Sequence, residues 1–309
     1  VLSGEIQRLQ ASPFFDADVF ADLKDPNTVV AHFSQGGLGL PEREYYLATD
    51  AEKKTLRAAY EQHVTKMLVL SGLPPAEAAK QAKAILVFET ALAKASRPIE
   101  AMRDVQKLHH RLDAPGLAKL TPKLPWERFF SAFGQSDLTA INVMTPEFFP
   151  ALQKEIGKAP LPTLKAYLRY QLLSATAGLL PDAVYQQHFD FQGRTLAGQK
   201  EPQPRWKRCI TATEQAMGEA IGQLYVQERF AGNSKELALD MIHGIADAFA
   251  ASLPALAWMD ETTRQAALVK KGTLAWKIGY PEEWRDYSKL TITRGNHFAN
   301  AVAARGFEA

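Results

Sequence analysis

The sequence predicts an all-α fold in which long antiparallel helices carry a minor pair of short strands. Three observations support this prediction. Apolar residues recur three and four positions apart over most of the 309 residues, and proline and glycine stand where helices should start and stop. Only two short stretches have the composition of strands. No repeat of fixed period is visible, so a solenoid is not expected.

The two clearest helices fill residues 49–95. Apolar side chains line one face of the first helix, whose start should be capped by Thr49 together with Glu52. Gly72 is expected to end this helix in a left-handed conformation, and Pro75 suits the first turn of the second. Because the link between them is short, the two helices should pack as an antiparallel hairpin.

Later stretches follow the same helical pattern. A long helix facing the core is predicted for 204–229, a second starts near Asn233, and Asp260 should cap a third that ends at Gly279. The positions expected to be buried on the first two are Trp206, Ile210, Thr213, Met217, Ala220 and Leu224, then Leu237, Met241, Ile245, Phe249 and Leu253. Strands are predicted only at 28–33 (TVVAHF) and 138–144 (LTAINVM).

The charge balance excludes one large class of partner. Lys and Arg number 36 against 34 Asp and Glu, which gives a net charge of +2. A nucleic-acid-binding protein needs a basic surface that displaces counterions from phosphates, so no nucleic-acid partner is expected. No stretch reaches the roughly 18 apolar residues of a membrane span. The opening VLSGEIQRLQ lacks the pattern of a signal peptide.

The glycine-rich stretch SQGGLGLPEREYYL, residues 34–47, resembles a phosphate loop only superficially. A Walker loop ends in Gly-Lys-Ser/Thr, and a dinucleotide-binding turn has a third glycine that opens a helix. Here Leu-Pro-Glu follows the glycines, so a backbone donor is lost at Pro41 and acidic side chains would repel a phosphate. The glycines are therefore interpreted as shaping a tight turn after the first strand.

The sequence contains no recognisable set of catalytic or metal-binding residues. A helical zinc protease site needs H-E-x-x-H, and none of the seven histidines is followed by glutamate. His109 and His110 are adjacent in a predicted short helix and would point about 100° apart. His63 and His243 are expected at the surface or partly buried. The single cysteine, Cys209, excludes an internal disulfide and is expected to be a buried, unreactive thiol.

Three longer stretches carry a family resemblance. GGLGLPEREYYL (36–47) is similar to a Gly-Leu-Gly-Leu-Pro…Tyr-Tyr signature, and RWKRCITATEQAMGEAIGQLYVQERFAG (205–232) resembles a Trp-(Lys/Arg)-Arg-Cys helix. LAWMDETTRQAALVKKGTLAWKIGYPEEW (256–284) is similar to a Trp-Met-Asp…Lys-Ile-Gly-Tyr-Pro segment. In this order and spacing, the three motifs identify the chain as resembling the neprilysin and endothelin-converting-enzyme family of zinc metalloendopeptidases, over essentially all 309 residues.

The resemblance implies that the zinc-dependent chemistry takes place outside this chain. In that family the zinc ligands follow the third motif, in an H-E-x-x-H helix and a later Glu, and an Arg and an Asp that help bind substrate precede the first. Residues 1–257 are therefore expected to form a helical cap over the active-site chamber, and residues 258–309 to lead toward the zinc catalytic domain. Peptide substrates and that catalytic domain are the implied partners, and zinc would be bound outside this chain.

No residue here inherits a catalytic, metal-binding or substrate-binding role from the family. The motif positions are interpreted as structural. They are Gly37, Gly39, Pro41, Tyr45, Tyr46, Trp206, Arg208, Trp258, Met259, Asp260, Gly279, Tyr280 and Pro281.

Two other interpretations remain open. A stand-alone helical binding or scaffold protein should have a well-covered surface, whereas a cap should expose an apolar patch where the catalytic domain packs. The second of these interpretations is a proteolytically inactive member of the family. The final stretch has the pattern of a helix, and its apolar positions continue as far as Phe307, so a truncated chain is expected. The low cysteine content resembles bacterial relatives and favours export to the periplasm or cell surface.

Overall fold

The structure is a computed structural model that describes residues 2–9, 11–134 and 140–308. The chain divides into two compact units: a first unit of Val1–Pro202 with Thr293–Ala309, and a second unit of Gln203–Ile292. Helices dominate both units, which confirms the predicted fold class. The helices are α1 (Leu2–Arg8), α2 (Glu44–Leu47), α3 (Ala51–Leu70), α4 (Pro75–Ala95), α5 (Ala114–Leu120), α6 (Trp126–Phe133), α7 (Phe148–Lys158), α8 (Leu161–Thr176), α9 (Asp182–Phe189), α10 (Arg205–Arg229), α11 (Ser234–Ser252), α12 (Glu261–Gly272) and α13 (His297–Glu308).

The predicted helix pair of the first unit is present as α3 and α4, which pack against each other. Gly72 has a φ of +95° after the last turn of α3, as predicted. The cap prediction was wrong by one residue: Asp50, not Thr49, precedes the helix, and its carboxylate accepts a hydrogen bond from the Lys53 N–H at 2.9 Å. Asp50 takes this role because its backbone is extended, the conformation that aims a short side chain at the third helical residue.

The strand pair belongs to a four-stranded sheet of β1 (Phe15–Ala21), β2 (Val29–Gln35), β3 (Arg111–Leu112) and β4 (Ile141–Val143), in the order β1-β2-β4-β3. β1 pairs antiparallel with β2, β2 parallel with β4, and β3 antiparallel with β4. The two predicted strands are β2 and β4, although residues 138 and 139 of the prediction lie outside the described residues. Strand β1 was not predicted, because it alternates aspartates with apolar residues and aspartate is depleted in strands.

The core of the first unit joins the helix pair to the sheet. α4 packs against α7 and α8, and α7 also contacts β2. Phe33 on β2 is fully buried, with its ring centroid 6.0 Å from that of Trp126 and 6.2 Å from that of Phe130 on α6. This packing fixes the end of β2, from which the glycine-rich loop departs.

The second unit corrects the burial predicted for its helices. No described residue of α10 or α12 is buried, and Ala246 is the one on α11. A helical period of apolar residues identifies one face of a helix, but it does not show whether another element covers that face. The large apolar side chains that were expected inside and are exposed are Trp206, Ile210, Leu224, Leu237, Met241, Ile245 and Phe249; Leu253 is buried as expected.

Two helices of the second unit also differ from the prediction, one by an interruption and one by an earlier end. α10 is interrupted at Met217, whose φ and ψ of −147° and 43° are not helical. α12 begins after Asp260, whose carboxylate accepts a hydrogen bond from the Thr263 N–H at 2.7 Å, as predicted. It ends at Gly272 rather than at Gly279, and the six residues between these two glycines are not helical.

Candidate functional site

A cavity of about 550 Å³ lies beside the glycine-rich loop of the first unit, and we call it the loop cavity. Residues 36–38 and 40–43 of the loop form one wall. Asp16 on β1, Ser34 on β2 and Gln171 on α8 contribute other parts of the lining. The volume lies within the range of small-molecule sites, and charged and neutral polar groups converge on it. It is therefore the candidate site.

Two glycines of the loop stand where no larger residue fits. Gly37 has a φ of +78°, and a Cβ placed there would lie 2.8 Å from the Tyr167 hydroxyl. That hydroxyl donates a hydrogen bond to the Gly37 carbonyl at 2.8 Å. A Cβ at Gly39 would overlap the Tyr60 hydroxyl. The glycines therefore let the backbone turn and approach two buried tyrosines closely.

A buried tyrosine–glutamate cluster holds the loop from behind. The Tyr46 hydroxyl accepts hydrogen bonds from the Gly39 and Leu40 N–H groups at 3.0 and 2.9 Å, and donates one to Glu89 Oε2 at 2.9 Å. The Tyr60 hydroxyl donates to Glu89 Oε1 at 3.0 Å. Because these hydrogen bonds are buried, removing one partner would leave a buried donor or acceptor with neither a protein partner nor water to bond to. The loop conformation therefore depends on the whole cluster.

Burial controls the charge of this cluster. It raises the pKa of the Glu89 carboxyl to about 8, although the hydrogen bonds from Tyr60 and Tyr46 act in the opposite direction. Burial, with the neighbouring Glu89 carboxyl second, also raises the pKa values of Tyr46 and Tyr60 well above the ordinary value. At neutral pH the cluster is therefore largely uncharged, which suits a support for the loop better than an acid–base catalyst facing substrate.

The remaining motif residues of the loop lie at its outer side. Pro41 is exposed and Tyr45 is half-buried. The Lys53 ammonium lies 4.0 Å from the centre of the Tyr45 ring, and Arg57 Nη1 donates to the Tyr45 carbonyl at 2.8 Å. These contacts join α2 to α3 and fix the far end of the loop.

The near end of the loop is fixed by Gln35, the last residue of β2. Its side-chain amide accepts a hydrogen bond from the Arg97 N–H at 2.7 Å and donates one to the Arg97 carbonyl at 3.0 Å. The Arg97 guanidinium makes two hydrogen bonds to the Glu147 carboxylate and donates to the Lys107 carbonyl at 3.0 Å. Arg97 borders the loop cavity, but its charge is already neutralised.

The second and third sequence motifs come together within the second unit. Lys235 Nζ donates hydrogen bonds to the Tyr280 carbonyl at 3.1 Å and to Glu282 Oε1 at 2.7 Å. Gly279 has a φ of +74°, and a Cβ there would lie 2.8 Å from the Phe230 ring. The Tyr280 ring also lies edge-on to Phe230, at a centroid distance of 6.2 Å. The segment around Gly279 therefore packs against the end of α10 and the start of α11.

The other motif residues of the second unit are at or near the surface. Trp206 and Trp258 are 61% and 76% exposed. Arg208 Nε donates to a backbone carbonyl ahead of α10 at 3.1 Å, Met259 is half-buried, and Pro281 is exposed.

Residues 2–281 match the N-terminal family model described as Peptidase family M13. The chain belongs to peptidase family M13. This confirms the resemblance that the three sequence motifs carry. Human endothelin-converting enzyme 1 is 33% identical to the M13 chain over 286 residues, which are 91% of this chain and 37% of the relative. An endothelin-converting enzyme homolog of Locusta migratoria is 32% identical over 311 residues, 95% of this chain and 42% of the relative.

Solved structures agree with this assignment. The zinc metalloprotease Zmp1 of Mycobacterium tuberculosis, in complex with an inhibitor, is 31% identical with a TM-score of 0.88, covering 99% of the M13 chain and 46% of Zmp1. PepO of a Lactobacillus strain has a TM-score of 0.83 at 22% identity, covers 99% and 49%, and shows the shared fold alone. The M13 chain therefore spans less than half the length of these proteins.

Four histidines of the M13 chain bear on whether the chain can hold a metal ion. His109 and His110 follow a short helical turn rather than lying in a helix, and His63 is 2% exposed, so both predictions were wrong. The His63 ring centroid lies 6.2 Å from that of His188. Across residues 2–9, 11–134 and 140–308, no three His, Cys, Asp or Glu side chains are grouped to hold a metal ion.

Two further findings concern single predictions. Cys209 is exposed rather than buried, because no element covers its part of α10. No helix within the described ranges is both long and apolar enough to span a bilayer.

Glu89 and Tyr60 were missed as contributors to the site. Glu89 occupies the buried face of α4, in line with Ala82, Ile85 and Leu92 at spacings of three and four. A carboxylate on an apolar helix face is a recognisable signal, because burial of a charged group requires hydrogen-bond partners or a shifted pKa. The partners themselves could not be identified, since Tyr46 and Tyr60 are brought there by tertiary packing.

Proposed function

We propose that residues 1–309 form the cap portion of a zinc-dependent metalloendopeptidase that hydrolyses peptides inside an enclosed chamber. The catalytic portion is a separate part of the same polypeptide and carries the zinc. In the part of the chain that the structure describes, no group of His, Cys, Asp and Glu side chains fits a zinc ion, so no step of hydrolysis is assigned to them. A rigid helical cap restricts entry to peptides and shields the reaction from bulk water.

The apolar face of α11 carries this proposal. Leu237, Met241, Ile245 and Phe249 repeat every four residues and are 59%, 67%, 61% and 48% exposed. A face of four large apolar side chains left open to water is costly, and such a surface marks a packing site. The proposed occupant is the catalytic portion. The match covers only 37% of the human relative and 46% of Zmp1, so these proteins have a further portion that could fill this role, which supports the proposal.

Two features of the proposal are still predictions. Residues 1–257 are taken as the cap and residues 258–309 as the connection to the catalytic portion. Export to the periplasm or cell surface is proposed for the whole protein. A stand-alone scaffold protein, the alternative function, should have the apolar face of α11 covered by its own residues.

Peptide hydrolysis tests the division of labour. A pure polypeptide of residues 1–309 is expected to leave a fluorogenic peptide uncleaved with added zinc, while the longer polypeptide that includes the catalytic portion cleaves it. Zinc-dependent cleavage by pure 1–309 would contradict the proposal. A longer polypeptide that leaves the peptide uncleaved would indicate an inactive family member.

Cysteine alkylation tests the packing of α11 separately. In a Cys209→Ser background, Met241→Cys should react rapidly in the 1–309 polypeptide and at least tenfold more slowly in the longer one. Lys154→Cys, an exposed position on α7, is the matched control and should react at similar rates in both. Equal reactivity of Met241→Cys in both polypeptides would exclude α11 as the packing surface.

A further inference from the structure

The loop cavity contains an arginine, Arg43, that is paired only at long range with the adjacent Glu44. Arg43 lies in the cavity wall with a side chain that is 25% exposed. Its Nε atom is buried and has no hydrogen-bond acceptor among the described residues. The Glu44 carboxylate is 3.6 Å away, which is too long for a hydrogen bond, and that carboxylate is 49% exposed. Arg43 therefore keeps most of its capacity to bind a carboxylate.

A carboxylate also lines the same cavity. Asp16 lies against the loop, with Oδ1 2.9 Å from the position that a Cβ on Gly36 would take. Burial raises the pKa of Asp16 to about 6, with a smaller contribution from Asp18, while the Ser12 hydroxyl opposes the shift. No ion pair joins the half-buried Asp16 carboxylate to a cation among the described residues, so it is held at a cost that an ammonium group in the cavity would offset.

The rest of the lining suits a small amphipathic molecule. Leu38, Leu40, Ile99 and Met102 provide apolar surface, Gln171 adds an amide, and Glu42 adds a second carboxylate that would also favour an ammonium group. The other arginine of the lining, Arg97, is neutralised by its pairing with Glu147, so it does not compete for an anion. An aliphatic side chain could be accommodated between two groups of opposite charge.

We propose that the loop cavity binds a zwitterion of the amino-acid or short-peptide class, with its carboxylate on Arg43 and its ammonium on Asp16. Side-chain contact with Leu38 and Ile99 would favour aliphatic ligands. This site goes beyond the proposed cap function and does not rest on it, since no zinc, catalytic portion or hydrolysis is required for binding. The binding test can therefore fail while the peptidase tests succeed, and the peptidase tests can fail while the binding test succeeds.

Calorimetric titration of the 309-residue chain with a matched series of probes tests the proposal. The zwitterions are L-leucine and L-leucyl-L-leucine. N-acetyl-L-leucine lacks the ammonium, and L-leucine amide lacks the carboxylate. At least one zwitterion should bind at least tenfold more tightly than both blocked compounds, because only it satisfies both charges. Equal affinity across the series, or no binding of either zwitterion, would overturn the proposal.

Two variant pairs locate the ligand. Arg43→Gln and Asp16→Asn should each weaken zwitterion binding at least tenfold, the first leaving the affinity for L-leucine amide unchanged and the second that for N-acetyl-L-leucine. Arg169→Gln on α8 and Asp240→Asn on α11 replace exposed residues that do not line the loop cavity and should bind as the wild type does. Circular dichroism confirms folding of each variant. Zwitterion binding that survives both cavity substitutions would place the site elsewhere and overturn the proposal.

Discussion

The Tyr46 hydroxyl donates a hydrogen bond to Glu89 Oε2 at 2.9 Å while accepting two from the backbone of the glycine-rich loop. A tyrosine of the sequence motif is thereby tied to a fully buried carboxyl group 43 residues further along the chain. This pair explains why the loop keeps one conformation, and it predicts how stability should respond to substitution and to pH.

Substitution of Glu89 should separate hydrogen bonding from charge. Glu89→Ala leaves the Tyr46 and Tyr60 hydroxyls without their acceptor and is expected to cost about 3 kcal/mol of unfolding free energy. Glu89→Gln retains an acceptor oxygen and should cost less at pH 7. Urea unfolding of the two variants and the wild type measures the difference. Equal losses for the alanine and glutamine variants would show that these hydrogen bonds do not matter.

The pH dependence of Glu89 has a definite sign. Its pKa is raised from 4.5 to about 8 in the folded state. Between these pH values the folded protein holds a proton that the unfolded chain has released, so this group makes stability fall as pH rises through the window. Glu89→Gln should remove that part of the slope. An unchanged slope between pH 5 and 8 in this variant would contradict the assignment.

His63 should act in the opposite direction. Burial, aided by the positive charges of His188 and Lys66, lowers the pKa of His63 from 6.5 to about 3. The unfolded chain then binds a proton that the folded protein does not, so stability contributed above pH 6.5 is lost as pH falls toward 3. Between pH 7 and 5 the loss is about 2 kcal/mol.

Urea unfolding at these two pH values checks the histidine prediction. On going from pH 7 to pH 5, His63→Phe should gain about 2 kcal/mol relative to the wild type, because a phenyl ring does not titrate and the contribution of Glu89 is the same in both proteins. His297→Gln, at an exposed position, is the control and should behave as the wild type does. The same difference in stability between pH 7 and pH 5 in His63→Phe and in the wild type would contradict the assignment to this histidine.

Gly39 should be intolerant of a single added methyl group. In Gly39→Ala the new Cβ overlaps the Tyr60 hydroxyl, so either the loop or Tyr60 must move, at a cost of about 3 kcal/mol. Adding Tyr60→Phe should recover part of this loss because it removes the clashing oxygen. Thermal unfolding of the single and double variants measures the recovery.

The matched control for Gly39 is a helical glycine with space around it. A Cβ at Gly157 on α7 meets nothing within 4 Å, so Gly157→Ala should stabilise the protein by about 0.5 kcal/mol. A neutral Gly39→Ala variant, or a double variant no better than the single, would show that the close approach to Tyr60 is not limiting.

Charged substitution on the apolar face of α11 should be harmless to the isolated chain. Ile245 is 61% exposed, so Ile245→Glu is expected to change the unfolding free energy of 1–309 by less than about 0.5 kcal/mol. Binding of the dye ANS should decrease because a large apolar side chain is lost from the surface. Destabilisation beyond about 2 kcal/mol would mean that Ile245 is packed against the chain's own residues.

Several elements could be predicted from local patterns because their physical causes are local. The helix pair followed from the period of apolar residues, Gly72 from its position after the last turn, and Asp260 from its place before α12. The loop cavity could not be predicted. Part of its lining comes from β1, whose aspartates are untypical of a strand, and the loop is held in place by Glu89, which lies on another helix.

The sequence by itself determined the helical class, the two central strands and membership of the family, since periodicity, capping residues and motif order are all written along the chain. Only the tertiary structure decided which faces are covered. α10 and α11 have the apolar period of buried helices, and most of that face is nevertheless exposed. The physical reason is that burial depends on what packs against a face, whereas a periodic pattern records only that the face is apolar.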